Sequence, residues 1–282
     1  WSGVKEMPKL MKANFLRLLK DKTFLLLTVI MLAIGVLLPF AHYMDTIHSG
    51  VPWALDFSFF TYAFIAPILL AVLTSLFVGS EYGNGTLRNK IIAGYRRGSI
   101  YLSNLIVCII GGIILSVAYM IPHLGLGILL NGRFNSETKT ILIYIALSAA
   151  LVVAVAALFV LIAMLCQNKA YTAAGCILLA FILLLFGVYI TSALNEPEYL
   201  PAYTYIENGV TVEEQETKNP NYVSGTKREI YEVLQDFMPG GQMLQLADME
   251  VENPSILAVY DGIILIISTA CGMIAFKRKD LK

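Results

Sequence analysis

Charge is what this sequence has least of. Acids and bases make up 14% of its 282 residues, against about 25% in an ordinary soluble domain. The deficit gathers into long uncharged runs, among them residues 57–79 and 100–130. About 20 consecutive apolar residues cross a bilayer, so these runs exclude a soluble globular fold and predict an all-α polytopic membrane protein. Lys and Arg number 20, as do Asp and Glu, and a formal charge of zero gives no bulk attraction to nucleic acid. Cysteine is scarce: Cys108, Cys166, Cys176 and Cys271 all lie in or beside apolar runs. That pattern provides neither a disulfide framework nor a Cys-x-x-Cys motif. His42, His48 and His123 are scattered and read as loop or core residues rather than metal ligands. No Gly-x-x-x-x-Gly-Lys-Ser/Thr occurs, so the chain has no phosphate-cradling loop of this type. The apolar runs hold too few ionisable groups for a proton or ion relay.

What is present is apolar length and its punctuation. Six spans are predicted at about 23–40, 57–79, 99–130, 141–166, 170–194 and 256–276. Pro39 is expected to loosen the outer end of the first, and Pro67 either to kink the second or to be tolerated through neighbour packing. Pro122-His123 is expected to break the overlong third, leaving a re-entrant or interfacial piece around Gly125 and Gly127. Ala149, Ala150, Ala154, Ala156 and Ala157 in span four, and Ala173, Ala174 and Gly175 in span five, predict close helix contacts. Ahead of span one, Lys9, Lys12, Arg17 and Lys20 share one helical face, with Met11, Phe15, Leu18 and Leu19 opposite and Leu16 out of place. This predicts an interfacial amphipathic helix with its bases toward headgroups. The division is therefore 1–22 (leader and interfacial helix), 23–194 (spans one to five, with a polar loop at 80–98), 195–255 (a polar insert) and 256–282 (span six and a basic tail).

The insert holds twelve acids against Lys218, Lys227 and Arg228. Alternation on both sides of Asn208-Gly209 predicts a hairpin, since Asn-Gly suits a type I′ turn. Thr226-Lys-Arg-Glu229 reads as a capping box opening a helix that Pro239-Gly240 ends. The insert is thus a small α+β unit. With the N-terminus inside, fifteen Lys and Arg fall on cytoplasmic segments and five outside. The positive-inside rule then puts both termini in the cytoplasm and the acidic insert outside.

The most informative stretch joins spans two and three: Gly79-Ser-Glu-Tyr-Gly-Asn-Gly-Thr-Leu-Arg-Asn-Lys-Ile-Ile-Ala-Gly-Tyr-Arg-Arg-Gly-Ser99. It carries Glu81, placed where span two ends to pair with Arg96, Arg97 or a base on the N-terminal helix, and the bases Arg88 and Lys90, expected at the rim of a docking face. Gly83 and Gly85 break the backbone, and Thr86 is placed to cap a short helix whose Leu87 and Ile91 share a face. Gly94 ends that helix, and Gly98-Ser99 offers a cap for the next. A short helix with one apolar face, tied to two spans, is suited to dock on a soluble partner.

A span, then Glu81, the Gly85-Thr86 pair and a basic amphipathic segment ending at Arg97 and Ser99 resemble ATP-binding-cassette permeases of the type-two export superfamily. The resemblance extends to the basic N-terminal helix, the six-span layout and the Lys-Arg-Lys-Asp-Leu tail. It implies that Glu81, Gly85, Thr86, Leu87, Arg88, Ile91 and Arg97 belong to a coupling helix that contacts a cytoplasmic ATPase. It further implies a bacterial plasma-membrane protein, paired with a second permease copy and in contact with membrane lipids. Cargo would then move along the dimer interface, and ATP and Mg would be bound by the partner ATPase, not by this chain. Met7-Pro8-Lys9-Leu10 resembles the start of such a permease, which would make residues 1–6 foreign to it.

Other patterns carry less. Met238-Pro-Gly-Gly-Gln242 looks superficially like the ABC signature but lies in the outside insert, so it reads as coincidence. Glu213-Glu214 reads as solvated acid, and Asn84-Gly85-Thr86 as a turn rather than a glycosylation site. Asp261 is a candidate functional acid, because it is ionisable and lies inside a span. The cargo expected is amphipathic or apolar: a peptide, antimicrobial, drug or lipid. The competing expectation is a membrane-embedded sensor or enzyme whose acidic insert binds a ligand without transport.

Overall fold

The computed structural model describes residues 2–166, 168–207 and 210–279. Its elements run α1 (Ser2–Lys20), α2 (Lys22–Ser49), α3 (Asp56–Phe59), α4 (Tyr62–Gly83), α5 (Thr86–Ile92), α6 (Arg97–Leu130), α7 (Thr138–Leu165) and α8 (Lys169–Leu194). The polar insert then gives β1 (Tyr199–Leu200), β2 (Tyr203–Glu207), β3 (Val210–Glu214), β4 (Thr217–Lys218), α9 (Thr226–Phe237) and α10 (Pro239–Ala247), and α11 (Pro254–Arg278) follows. Six segments are long and apolar enough to cross a membrane: α2, α3 with α4, α6, α7, α8 and α11.

Small residues decide which helices are central. Ala154, Ala156, Ala157 and Ala163 of α7 are fully buried, and α7 packs against both α4 and α11. Short side chains let these backbones approach, which is how apolar helices associate where lipid is as apolar as they are. α2, α8 and α11 are peripheral and turn Leu, Ile, Phe and Val outward, including Leu26, Leu37, Phe181, Leu185, Ile266 and Ile267.

The prolines break less than the sequence predicts. α2 runs through Pro39 to Ser49, and Asn131 Nδ2 donates to the Pro39 carbonyl at 3.1 Å. α6 is one 34-residue helix through Pro122, with no re-entrant piece. A membrane helix tolerates an internal proline when neighbours supply compensating contacts. Here His123 is fully buried, meets Ser58 Oγ at 3.1 Å and stacks on Tyr119 at 4.9 Å. The break in span two falls at Phe60–Thr61, between α3 and α4, while α4 continues through Pro67.

In the insert, β2 and β3 pair antiparallel with Tyr203 opposite Glu214 and Glu207 opposite Val210, in agreement with the predicted hairpin. The Asn208-Gly209 tip lies outside the described residues. β1 and β4 form a second short ladder below it. The expected capping box does not form: Gly225 is the N-cap, with no side-chain bond, and Thr226 is already helical. A hydroxyl inside the first turn is past the position from which it can receive the free N–H groups.

The sequence gives no notice of α10. Pro239 starts this helix, and its first turn packs backbone to backbone against α8. A Cβ on Gly240 would fall 1.7 Å from the Leu183 carbonyl oxygen, and one on Gly187 would fall 2.3 Å from the Gly240 carbonyl carbon. α10 also packs on α4 and α7, so the last third of the insert is part of the helical bundle. The resemblance of Met238–Gln242 to a nucleotide-binding signature is thereby explained away. Gly240 serves this close approach, and Gly241 lies against the Gln235 backbone of α9.

Candidate functional site

The two ends of the bundle differ in chemistry. At the end opposite the insert, α1, α4, α5 and α6 converge on Glu81, whose side chain is completely buried in the last turn of α4. Arg17 of α1 and Lys90 of α5 both pair with Glu81 Oε1, and Asn104 Nδ2 of α6 donates to Oε2 at 3.0 Å. Asn14, buried on α1, knits the cluster together. Its Nδ2 donates to Ser103 Oγ at 2.9 Å and to Asn104 Oδ1 at 3.0 Å, and its Oδ1 accepts from Lys90 Nζ at 2.9 Å. Arg17 Nη2 donates to the Phe77 carbonyl at 3.2 Å, and its guanidinium carbon sits 3.8 Å from the centre of the Phe77 ring.

A buried carboxylate is costly unless paired and hydrogen-bonded, and here both oxygens are taken. Burial lowers the Lys90 ammonium pKa below the ordinary lysine value, while the Glu81 charge works to restore it. The two groups are interdependent: Glu81 keeps Lys90 charged, and Lys90 compensates Glu81.

Several predicted residues take other places than expected. Thr86 does not cap α5. Gly85 does, in a left-handed conformation with φ 66°, and the Thr86 hydroxyl donates back to the Glu81 carbonyl at 3.2 Å. Ser99 is likewise not a cap; α6 begins after Arg96, with no side-chain bond there. Gly94 follows the end of α5 with φ 92°, as the sequence predicts. Leu87 is buried in the core and Ile91 packs partly against it, so the shared apolar face of α5 looks into the bundle and cannot fill a groove on another protein. The outward face is Arg88, Asn89 and Ile92, the last 74% exposed. Lys90 turns inward rather than lying at a rim.

Arg97 does not reach Glu81. Its Nη1 donates to the carbonyls of Phe276 and Lys277, both at 3.1 Å, and to that of Lys279. These carbonyls lie at and just past the end of α11, where Phe276 otherwise accepts, among the described residues, only from the Lys279 N–H at 3.4 Å. The start of α6, just after α5, is therefore fastened to the end of α11.

α1 also differs from expectation. Leu10, Asn14 and Leu18 form its buried face against α6, while Leu16 and Leu19 are exposed. Arg17 turns from the headgroup side to Glu81. Sequence reading missed Asn14, Ser103 and Asn104. A signal existed, since Asn104 is the one carboxamide between residues 100 and 130, and Asn14 sits one turn from both Leu10 and Leu18.

Six membrane-length helices, with a buried ion-pair cluster holding a short surface helix at one end, define a multi-pass membrane protein. Residues 10–187 match the model of the ABC-2 family transporter protein, and the chain belongs to that family. No individual curated protein matches it. The matched range takes in α5 and every member of the Glu81 cluster. Membership makes the chain a permease, the membrane component of a system that in general includes an ATPase subunit.

Proposed function

We propose that this permease exports an amphipathic or apolar substrate, a peptide, antimicrobial, drug or lipid, using ATP hydrolysed on a separate cytoplasmic ATPase subunit that holds ATP and Mg. α5 is the contact through which that subunit moves the membrane helices. The observation that carries the reading is the cluster on Glu81. It ties α5 to α1, α4 and α6 at once, so a push on α5 is delivered to three elements instead of bending a loop. Arg97 extends the connection to α11. In this reading Ile92 is the apolar anchor on the ATPase, and Arg88 beside it sets orientation at the rim.

The membrane is the plasma membrane, both termini are cytoplasmic, and two permease copies pair within the lipid. The excess of Lys and Arg on the Glu81 side supports this orientation. The test is co-expression with the ATPase subunit followed by purification through the permease. Ile92→Asp is expected to abolish co-purification while the permease itself keeps its yield and melting temperature. Glu81→Ala is expected to keep the ATPase bound but separate ATP hydrolysis from substrate export. Co-purification and export at parent levels in both variants would end the coupling role of α5.

A further inference from the structure

The insert end of the bundle holds a cavity of about 380 Å³ between the last turns of α8, the loop before α9 and α9 itself. Tyr189, Ser192 and, just past the helix, Glu196 line it from the α8 side. Tyr222 lines it from the loop, and Lys227 and Tyr231, one turn apart on α9, complete the wall. The Tyr189 and Tyr231 hydroxyls meet at 3.3 Å, and Lys227 Nζ stands 5.4 Å from the centre of the Tyr231 ring. The loop is held in place from behind. Asn219, buried, donates through Nδ2 to Glu196 Oε2 at 2.8 Å and to the Pro197 carbonyl at 3.0 Å, and its Oδ1 accepts from the Asn221 N–H at 2.9 Å.

The charges on this wall balance and yet do not meet. Among the described residues Lys227 is its one base and Glu196 its one acid, and neither forms an ion pair. Arg228, the next base along α9, is spent on Glu232 at 3.0 Å and on the Leu194 carbonyl at 3.3 Å. Asp261, buried in α11, is not on the wall. An ammonium, tyrosine hydroxyls and a carboxylate thus share one space, with donors for an anion and an acceptor for a cation. A path through the bilayer leads to it. Leu178, Ile182, Leu185 and Tyr189 follow at spacings of four, three and four, which makes one stripe along α8. All four are exposed, Leu185 by 65%, on a helix of membrane length. The stripe ends in the cavity, because Tyr189 belongs to both. From Leu178 to Tyr189 is about 16 Å at the helical rise, close to half of a hydrocarbon core about 30 Å thick. A tyrosine at its end suits the boundary between hydrocarbon and water.

We propose that this cavity binds the head group of a zwitterionic glycerophospholipid from the leaflet on the insert side. Its phosphate sits on Lys227 and the Tyr189 and Tyr231 hydroxyls, its ammonium on Glu196, and an acyl chain follows Leu185, Ile182 and Leu178. Bonds from an ammonium to phosphate and from an ammonium to carboxylate are the strong, charge-assisted kind, and the tyrosine faces add attraction for the cationic end. A diacylglycerol gains the stripe alone, and a soluble head group gains the cavity alone. A lipid held this way bridges α8 and α9, and so ties the insert to the membrane surface at this point.

The test titrates the full-length chain in detergent with phosphatidylethanolamine, phosphatidylglycerol and diacylglycerol of one chain composition, and with water-soluble glycerophosphoethanolamine. Native mass spectrometry counts the molecules bound. Phosphatidylethanolamine is expected to bind at least about tenfold tighter than diacylglycerol or the soluble head group, the gain from one charge-assisted bond, with phosphatidylglycerol between. Lys227→Ala is expected to remove that advantage and Lys227→Arg to keep it, both at the parent's melting temperature because Lys227 is exposed. Glu196→Gln is expected to bring phosphatidylethanolamine down to phosphatidylglycerol. Equal binding of phosphatidylethanolamine and diacylglycerol by the parent overturns the proposal, as does unchanged phosphatidylethanolamine binding by Lys227→Ala. A soluble head group that binds as tightly as the lipid would make the cavity a site for a free phosphate ester and overturn the lipid assignment. Efficient oxidative crosslinking of Leu185→Cys into dimers in native membranes would put a second copy on the stripe, and would overturn it too. Binding requires neither ATP nor the ATPase, so this site and the export reading fail separately.

Discussion

Replacing Glu81 with alanine removes the one acceptor on which α1, α5 and α6 all depend. It strands Arg17 and Lys90, whose side chains are 30% and 15% exposed, and leaves Asn104 without its carboxylate. Breaking a buried pair costs about 3–5 kcal/mol, chiefly because the surviving charge stays buried. Arg17 retains some access to water, which places the expected loss at the low end, about 3 kcal/mol. That is more than a hundredfold in the folding equilibrium and several degrees in melting temperature for a chain of this size. Glu81→Gln keeps the packing and the acceptor for Asn104, so its loss should be smaller. The pH dependence is a separate signature. Burial already lowers the Lys90 pKa from its ordinary 10.5, so the unfolded chain binds that proton more tightly than the folded one does. Stability therefore rises as pH climbs from the lowered value toward 10.5. Without Glu81 the lowering deepens, so Glu81→Ala should recover stability with rising pH from a lower starting point, and more steeply, than the parent. Thermal unfolding of the detergent-solubilised protein across neutral to alkaline pH measures both effects. A variant that melts with the parent and shows the parent's pH slope would refute the argument that Glu81 is the keystone of this cluster.

Other perturbations separate the roles of neighbouring residues. Leu87→Asp should destabilise the chain itself by a few kcal/mol, because it buries an unpaired charge in the core; loss of yield and melting temperature, in contrast to Ile92→Asp, checks this. Gly240→Ala should displace α10, since the new methyl would overlap the Leu183 carbonyl, and proteolysis within 226–253 should accelerate. Arg97→Ala should leave the Glu81 cluster intact but fray the end of α11, seen as faster amide exchange at 275–279. Cysteines placed at Ser224 and Asn89, both exposed, should be labelled from outside intact cells only at Ser224, and the opposite pattern would invert the proposed orientation.

The spans were legible because hydrocarbon leaves the backbone one economical choice, so apolar length alone predicts helices. Their ends and breaks were less so: α2 outruns its predicted span and α6 runs unbroken through Pro122, because proline stops a helix only where neighbours offer no compensation, and neighbours are invisible in one dimension. The position of α5 could be read from its glycines, yet its facing could not. Leu87 and Ile91 on one side and Ile92 on the other make the helix apolar in two directions, and only packing against α4 and α6 decides which side turns inward. Glu81 was marked by being the lone acid between two uncharged runs. Its pairing with a base of the N-terminal helix is expected from the sequence, and Arg17 supplies it; what stayed hidden is how the cluster is completed, because Asn14 meets Asn104 across 90 positions and sits on a helix whose pattern suggests lipid on one side and headgroups on the other. α10 was hidden for a similar reason: Pro239, Gly240 and Gly241 read as a stop when the partner that rewards them, Gly187, is out of sight.

The meeting of Gly240 with Gly187 has a consequence for how the molecule is made. The surface of α8 around Leu183 and Gly187 stays uncovered until residues 239–247 exist, and these come late in the polar insert. During synthesis the first five spans are therefore complete while the cleft between α4, α7 and α8 still lacks α10 at its insert end. In the proposed orientation the insert crosses the membrane, and α10 then packs back on α8, α4 and α7 just before α11 is made and joins α7. Assembly is in this sense ordered from the second end of the chain, and the last quarter of the sequence finishes a core that the first three quarters only outline.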